Sequence, residues 1–324
     1  MAAMTVIEAV RSTLDEALAG DDRVFLMGED VEAGGVFRAT EGLAGKYPGR
    51  ILDTPLAESS IIGLSIGAAH YGMRPVAEIQ FADFLTCGFD PLVNMTSTIH
   101  YRWGQPVPLV VRAPAGATWA MAGPFHSQSP EAWFAQIPGL KVVIPATPAD
   151  AKGLLKSAIR DPNPVIFLEQ KFLYRRLKGP VPEDRGFLVP LGQAAITRPG
   201  RDLSLIAYGT MAFKCLEAAA LLAAEGIEAE VVDLRTIVPW DKATVLASVA
   251  RTGRALVVSE AHHTAGFGAE IAATIAEEAF DQLDAPVRRL SGLDTPIPAH
   301  PVLEAEYLPD EKKIAAAARD LAGW

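Results

Sequence analysis

Two doubly wound α/β domains are predicted by three features of this 324-residue sequence. Apolar runs of strand length alternate with helical segments along almost the whole chain. Those runs are apolar on both faces, and one aperiodic stretch past the middle concentrates proline, glycine and charge. Strands buried on both sides and separated by helices imply parallel sheets with both faces covered.

The opening MAAMTVIEAVRSTLDEALAG is amphipathic at helical spacing. Strands are predicted at RVFLMG (23–28), RILDT (50–54), RPVAEIQ (74–80), VPLVVRAP (107–114), LKVVIPA (140–146) and PVIFLEQ (164–170). Helices fall between them at AESSIIGLSIGAAHYG (57–72), DPLVNMTSTIHY (90–101), SPEAWFAQI (129–137) and PADAKGLLKSAIRD (148–161). KGPVPEDRGFLVP (178–190) has no period and reads as the connection between domains. Residues 1–190, with the linker from about 178, are therefore assigned to the first domain and 191–324 to the second. There, strands DLSLIAYG (202–209), EAEVVDLRT (228–236), ALVVSEA (255–261) and VRRLSG (287–292) alternate with helices MAFKCLEAAALLAAEG (211–226), DKATVLASVART (241–252) and GAEIAATIAEEAF (268–280).

Composition narrows the function classes. Half the residues are hydrophobic, about a fifth are charged, and the net charge is −10, with no Lys/Arg run dense enough to neutralise a phosphate backbone or an anionic bilayer. Nucleic acid and membrane partners are not expected. The first twenty residues carry acids early and resemble neither a secretory signal nor an Arg-rich transit segment. No apolar stretch approaches the roughly 18 to 20 residues that span a bilayer. Cys87 and Cys215 lie in different halves and fit neither a disulfide framework nor a zinc spacing. The expectation is a cytoplasmic enzyme.

Two motifs carry little. Gly63, Ser65 and Gly67 satisfy G-x-S-x-G, but a hydrolase nucleophile stands on a sharp turn between strand and helix, and this match falls inside a helical run. Its small residues are better suited to close backbone approach. HTAGFGAEIAA (263–273) opens a helix yet lacks the G-x-G-x-x-G spacing of a dinucleotide site.

More informative are polar residues near strand ends of the first domain: Glu29, Glu58, Gln80 and His126. In open α/β sheets these segments line the ligand crevice. Each has a plainer reading alone. Glu58 suits the positive end of a helix dipole. His126 fits a loop, Ser129 and Pro130 fit an N-cap and first turn, and Phe81 and Phe84 fit a core.

Together the segments GEDV, GGVFRATEGLAGKY, DTPLAESSIIGLSIGAA, RPVAEIQFADF, FHSQSPEAWF, PGLKVVIPATPADAKGLLKSAIRD, PVIFLE and VVDLRTIVPWD resemble the β subunit of the thiamine-diphosphate-dependent 2-oxo acid dehydrogenases, the decarboxylating component of the lipoyl-linked complexes. The resemblance spans the whole chain in order. It implies a pyrimidine-binding domain and a C-terminal domain, both transketolase-like.

By position, the resemblance implies that Glu58 hydrogen-bonds the ring nitrogen of the cofactor's aminopyrimidine. Flanked by Leu56, Ala57, Ile61 and Ile62, its carboxyl is expected to be poorly solvated and suited to sharing a proton with a weak base. His126 is implied to protonate around the substrate and to assist acyl transfer to the lipoyl group. Phe84 is implied to stack on the pyrimidine, Gln80 and Leu56 to lie beside it, and Glu29 to belong to a polar channel between sites. The backbone carbonyls of Ala158, Asp161 and Asn163 match a structural potassium site of some members.

In this superfamily, magnesium and the diphosphate are held by Gly-Asp-Gly followed some 25 to 30 residues later by Asn. Here Gly-Asp-Gly is missing, and Asn94 and Asn163 are the only asparagines. The resemblance therefore implies an α subunit that holds magnesium and the diphosphate, an α2β2 heterotetramer, and a dihydrolipoyl acyltransferase core as a further partner. HSQS, EIQFADF and RTIVPWD look closer to branched-chain members, with 2-oxoisovalerate as substrate, than to pyruvate or acetoin members. Trp103, followed by one glycine, and Trp119, Pro124 and Phe125 before the histidine depart from the usual pattern and bear on that preference. A non-catalytic scaffold subunit and a nicotinamide oxidoreductase are the readings from other classes.

Overall fold

The computed structural model describes residues 1–118 and 122–324, so Trp119 lies outside the described residues. The chain forms two compact units, Met1–Ala115 with Trp133–Leu191, and Gly116–Ala132 with Gly192–Trp324. The described residues of Gly116–Ala132, His126 among them, group with the second unit. Their polar anchors lie far along the chain: Ser129 and the Ala117 amide bond to Glu260, and Glu131 bonds to Tyr208.

The first unit begins with strand β1 (Ala2–Thr5), followed by helix Val6–Gly20. Thr5 and Glu8 close a capping box at its start, and Val6, Ile7, Val10, Leu14 and Leu18 bury its apolar stripe. Six parallel strands follow: β2 (Val24–Gly28), β3 (Ile51–Asp53), β4 (Arg74–Glu78), β5 (Val110–Ala115), β6 (Lys141–Val143) and β7 (Val165–Gln170). They lie in the order β6-β7-β5-β4-β2-β3. Strand β7 is buried along its whole length, as a sheet covered on both faces requires. Helix Val6–Gly20 packs on helix Pro148–Arg160, where Glu16 receives Lys152 and Lys156 at 2.7 and 2.6 Å.

The expected linker is partly strand. Lys178–Val181 forms β8, antiparallel to β1. Gly and Pro had masked it, and Pro180 is tolerated because a two-stranded ribbon is all edge.

The second unit carries β9 (Ala195–Arg198), β10 (Leu203–Ala207), β11 (Ala229–Asp233), the short β12 (Thr236–Val238), β13 (Ala255–His262) and β14 (Arg288–Gly292). Its five-stranded sheet runs β14-β13-β10-β11-β9, parallel except for the antiparallel edge β9. Helices Gly209–Ala223, Lys242–Thr252 and Phe267–Glu278 cover it, with Pro301–Tyr307 and Glu311–Ala322 added at the C-terminus. Asp310 caps the last helix through the amides of Lys312 and Lys313, at 3.0 and 2.7 Å.

The weak motifs resolve structurally. Ser65 is fully buried within helix Glu58–His70, and its hydroxyl donates to the Ile61 carbonyl at 2.8 Å, so it is no nucleophile elbow. Gly266, before helix Phe267–Glu278, sits where a Cβ would lie 2.4 Å from the His262 carbonyl oxygen, so the backbone itself calls for glycine. Both cysteines are free. Among the described residues no helix is long and apolar enough to cross a membrane.

Candidate functional site

Strand β2 pairs with β3 on one side and β4 on the other, all parallel, with Gly28 in register with both Asp53 and Glu78. Their carboxyl ends therefore open on one edge of the sheet, the ligand edge of an open α/β fold. Glu29 follows β2, Gln80 lies two residues beyond β4, and the turn after β3 leads into helix Glu58–His70 with Glu58 in its first turn.

Glu29 is 4% exposed, and among the described residues its Oε1 has no hydrogen-bond partner. Burial foremost, then the charges of Glu58 and Asp30, raise its pKa above the usual carboxylate range. Gln80 is oriented by donating from Nε2 to Asp30 Oδ2 at 3.2 Å. Asp30 holds a left-handed backbone at φ 56° to make this turn.

Glu58 is half-buried, and no hydrogen bond engages its carboxylate among the described residues. The apolar enclosure expected from its neighbours is not supplied by this chain: Leu56 is 81% exposed, while Ile61 and Ile62 turn into the core. A helix places residues three and four apart on one side. The isoleucines at those offsets share Glu58's face and are buried, whereas Glu58, the first residue of the helix, is half-buried beside exposed Leu56. The dipole reading and the ligand reading of Glu58 therefore coexist.

Beside this group, Phe84 meets Phe81 edge-on at 5.7 Å, and Phe81 meets Phe37 at 5.5 Å. Both Phe81 and Phe84 are half-buried rather than core.

The same edge carries a network that the sequence reading missed. Arg112 on β5 donates from Nε and Nη2 to both oxygens of Glu169 on β7, at 2.6 and 2.9 Å, and from Nη1 to Glu78 on β4 at 2.6 Å. Tyr174 adds its hydroxyl to Glu169 at 2.7 Å. All four are buried. The available signal was a charged residue inside or closing each of three largely apolar strands, Glu78, Arg112 and Glu169, since a charge in a buried strand needs a partner. The Glu78 carboxylate reaches back toward Gly35, where a Cβ would stand 2.6 Å from its Oε1.

His126 belongs to the second unit. Its loop closes at the neck, where the Gly116 amide donates to the Gln128 carbonyl at 2.9 Å, and the Gln128 side chain donates to the Pro124 carbonyl at 3.1 Å. His126 is half-buried and Phe125 is 72% exposed. Glu131, 1% exposed, accepts from Tyr208 at 2.8 Å, and burial first, with Glu260 adding to it, pushes its carboxyl up to about 7.

Ala158, Asp161 and Asn163 gather at the other end of the sheet, before β7 begins. The Asp161 amide donates to the Ala158 carbonyl at 3.2 Å, and the Asn163 amide donates to Asp161 Oδ1 at 2.8 Å. The Asp161 carboxylate pairs with Lys141, and Asn163 meets His100. These residues converge, with a lysine already supplying positive charge.

The edge formed by β4, β2 and β3 thus presents acids without enough partners, an amide and aromatic rings. A nitrogen heterocycle with a protonatable ring nitrogen and an exocyclic amine fits these groups. A diphosphate does not, because Glu29, Asp30 and Glu58 would repel it.

Residues 2–176 match the family described as the transketolase pyrimidine-binding domain, and residues 192–314 match the transketolase C-terminal domain. The chain is 48% identical to 2-oxoisovalerate dehydrogenase subunit beta 2, mitochondrial, of Arabidopsis thaliana, over 99% of this chain and 90% of that one. It is 46% identical to the acetoin:2,6-dichlorophenolindophenol oxidoreductase subunit beta of Cupriavidus necator, over 96% and 95%. In fold it is similar to a solved split-gene transketolase, an inactive beta4 tetramer, with a TM-score of 0.82, 24% identity and 99% of each chain covered. With both halves matched and close relatives aligned end to end, the chain belongs to the β subunits of the thiamine-diphosphate-dependent 2-oxo acid dehydrogenases.

Proposed function

We propose that this β subunit joins an α subunit to carry out oxidative decarboxylation of a branched-chain 2-oxo acid such as 2-oxoisovalerate, passing the acyl group to the lipoyl group of a dihydrolipoyl acyltransferase. The observation that carries the reading is the pairing of Glu29, with its orphaned buried oxygen, and Glu58, with its unengaged carboxylate, on one sheet edge. That edge accommodates the pyrimidine half of the cofactor and repels its diphosphate, so the α subunit is assigned the diphosphate and magnesium. An α2β2 heterotetramer satisfies this division.

When bound, thiamine diphosphate supplies the electron sink for loss of carbon dioxide from a 2-oxo acid. Glu58 would hold the pyrimidine ring nitrogen through its carboxylate, a group able to accept and return a proton. Closing its exposed end with Leu56 beneath a partner surface removes water and strengthens that hydrogen bond. Phe84, braced by Phe81, offers an aromatic face to the ring. Gln80, held by Asp30, orients its amide beside the ring. His126 offers an imidazole, a side chain that can both donate and accept a proton, for proton transfer at the substrate and during acyl transfer. The carbonyls of Ala158, Asp161 and Asn163 are assigned a structural potassium ion, with Lys141 limiting its affinity.

Acetoin oxidation is the second reading, favoured by the near-equal identity to the Cupriavidus necator relative. Apolar pockets discriminate by only about 1 to 3 kcal/mol per methylene, so a few loop residues decide the substrate. Steady-state assays of the reconstituted complex with 2-oxoisovalerate, pyruvate and acetoin test the reading. A kcat/KM highest for 2-oxoisovalerate is expected, and a clear advantage for either competitor would overturn it.

A further inference from the structure

The second unit holds a buried polar cluster beneath the His126 loop that the reaction chemistry does not use. Its centre is Glu260 on β13, 5% exposed. One oxygen of this carboxylate, Oε1, accepts from two points of the same loop: the Ala117 backbone amide at its start, and the Ser129 hydroxyl, at 3.3 Å, at its end. Between these points the loop neck is closed by the Gly116 to Gln128 backbone bond. Ala117 is itself fully buried against Ile297, Tyr307 and Leu308, so the start of the loop is fixed by packing as well. Beside Glu260, Glu131 accepts from Tyr208, and Tyr307 pairs its hydroxyl with His262 Nδ1 at 3.0 Å.

A turn residue held only by its own loop swings with that loop, whereas one whose loop is tied at both ends to a rigid strand does not. Residue 260 lies 143 and 131 positions from the two groups it ties, and β13 is buried for seven of its eight residues. The clamp therefore transmits the position of the central parallel sheet to the loop. A carboxylate suits the task because its hydrogen bonds to N–H and O–H donors are charge-assisted.

We propose that Glu260 is a positioning residue for His126, acting by clamping both ends of the Gly116–Ala132 segment through one carboxylate oxygen. The proposal rests on the catalytic reading of His126 given above. Glu260 does not touch the reacting atoms. Its effect is exerted through the placement of the imidazole, and small misplacements of a catalytic group cost rate rather than affinity.

The test is a double-mutant cycle in the assembled complex with its α subunit, thiamine diphosphate and a lipoyl domain, following kcat and KM for lipoyl acylation from 2-oxoisovalerate. Glu260→Ala is expected to lower kcat by about 10- to 100-fold with little change in KM. Glu260→Gln, which keeps an acceptor for Ala117 and Ser129, is expected to recover most of that rate. In a His126→Ala background, Glu260→Ala is expected to cost almost nothing further.

Full activity of Glu260→Ala, failure of Gln to rescue, or full additivity with His126→Ala would each overturn the proposal. If Glu260→Ala does not assemble, Ser129→Ala replaces it in the cycle. Its expected loss of a few fold must likewise vanish without His126, and persistence of that loss, or no loss at all, counts against the clamp. A fully active His126→Ala would remove the catalytic reading itself, whereas an impaired His126→Ala with a normal Glu260→Ala removes the clamp alone.

Discussion

Arg112 grips Glu169 through two parallel hydrogen bonds of 2.6 and 2.9 Å, joining adjacent strands where both side chains are shut away from water. Removing one member of a buried ion pair leaves the other charge without compensation, at a cost of about 3–5 kcal/mol. Arg112→Leu strands two buried carboxylates and is expected to lower the unfolding free energy by about that amount, read from the shift of the denaturant midpoint. Replacing Glu169 by Gln is expected to cost less, because Tyr174 and Arg112 still find an acceptor.

Glu131 makes stability fall with pH. Its carboxyl titrates near 4.5 when unfolded and is pushed up to about 7 in the fold, so the folded state binds the proton more tightly. Stability from this group is fully present below about 4.5 and is lost as pH rises toward 7, by about 3 kcal/mol. Glu131→Gln keeps an acceptor for Tyr208 and is expected to flatten this dependence and raise the melting temperature above pH 7. Melting curves from pH 5 to 8 of both proteins check it, and parallel curves would contradict the assignment.

Glu16 acts in the opposite sense. Burial would raise its pKa, but hydrogen bonds from Lys152 and Lys156 outweigh burial and lower it. Its contribution is present above the unfolded pKa and disappears as pH falls through the lowered folded value. Glu16→Ala leaves two buried ammonium groups without their shared partner and is expected to destabilise by roughly 2 kcal/mol, read from urea unfolding at neutral pH.

Gly139 has φ +96°, and a Cβ there would stand 2.1 Å from the Ser97 carbonyl oxygen. Gly139→Ala is expected to cost at least about 2 kcal/mol, whereas Gly72→Ala, with positive φ but open space, is expected to cost about 1. Thermal unfolding of the two variants separates strain from collision.

The long apolar strands were legible because both-face burial leaves a continuous Val/Ile/Leu signature, as in VPLVVRAP and PVIFLEQ. Strands β1, β8 and β9 were not, because edge strands are short and partly exposed, and tolerate proline. Glu29 and Gln80 could be placed from their position after strands. The solvation of Glu58 could not, because neighbours in sequence are not neighbours around a side chain: Ile61 and Ile62 point inward and Leu56 points out. The affiliation of the His126 loop depends on Glu260 and Tyr208, more than 70 residues away, and no local pattern encodes such a tie.

The most direct test of the account is decarboxylation by the assembled complex carrying Glu58→Ala, measured with 2-oxoisovalerate at saturating thiamine diphosphate, beside calorimetric titration of the cofactor. Intact assembly with the α subunit and loss of decarboxylation by at least about 100-fold are expected, because the proton partner of the pyrimidine is gone. Unchanged turnover in that variant would contradict it.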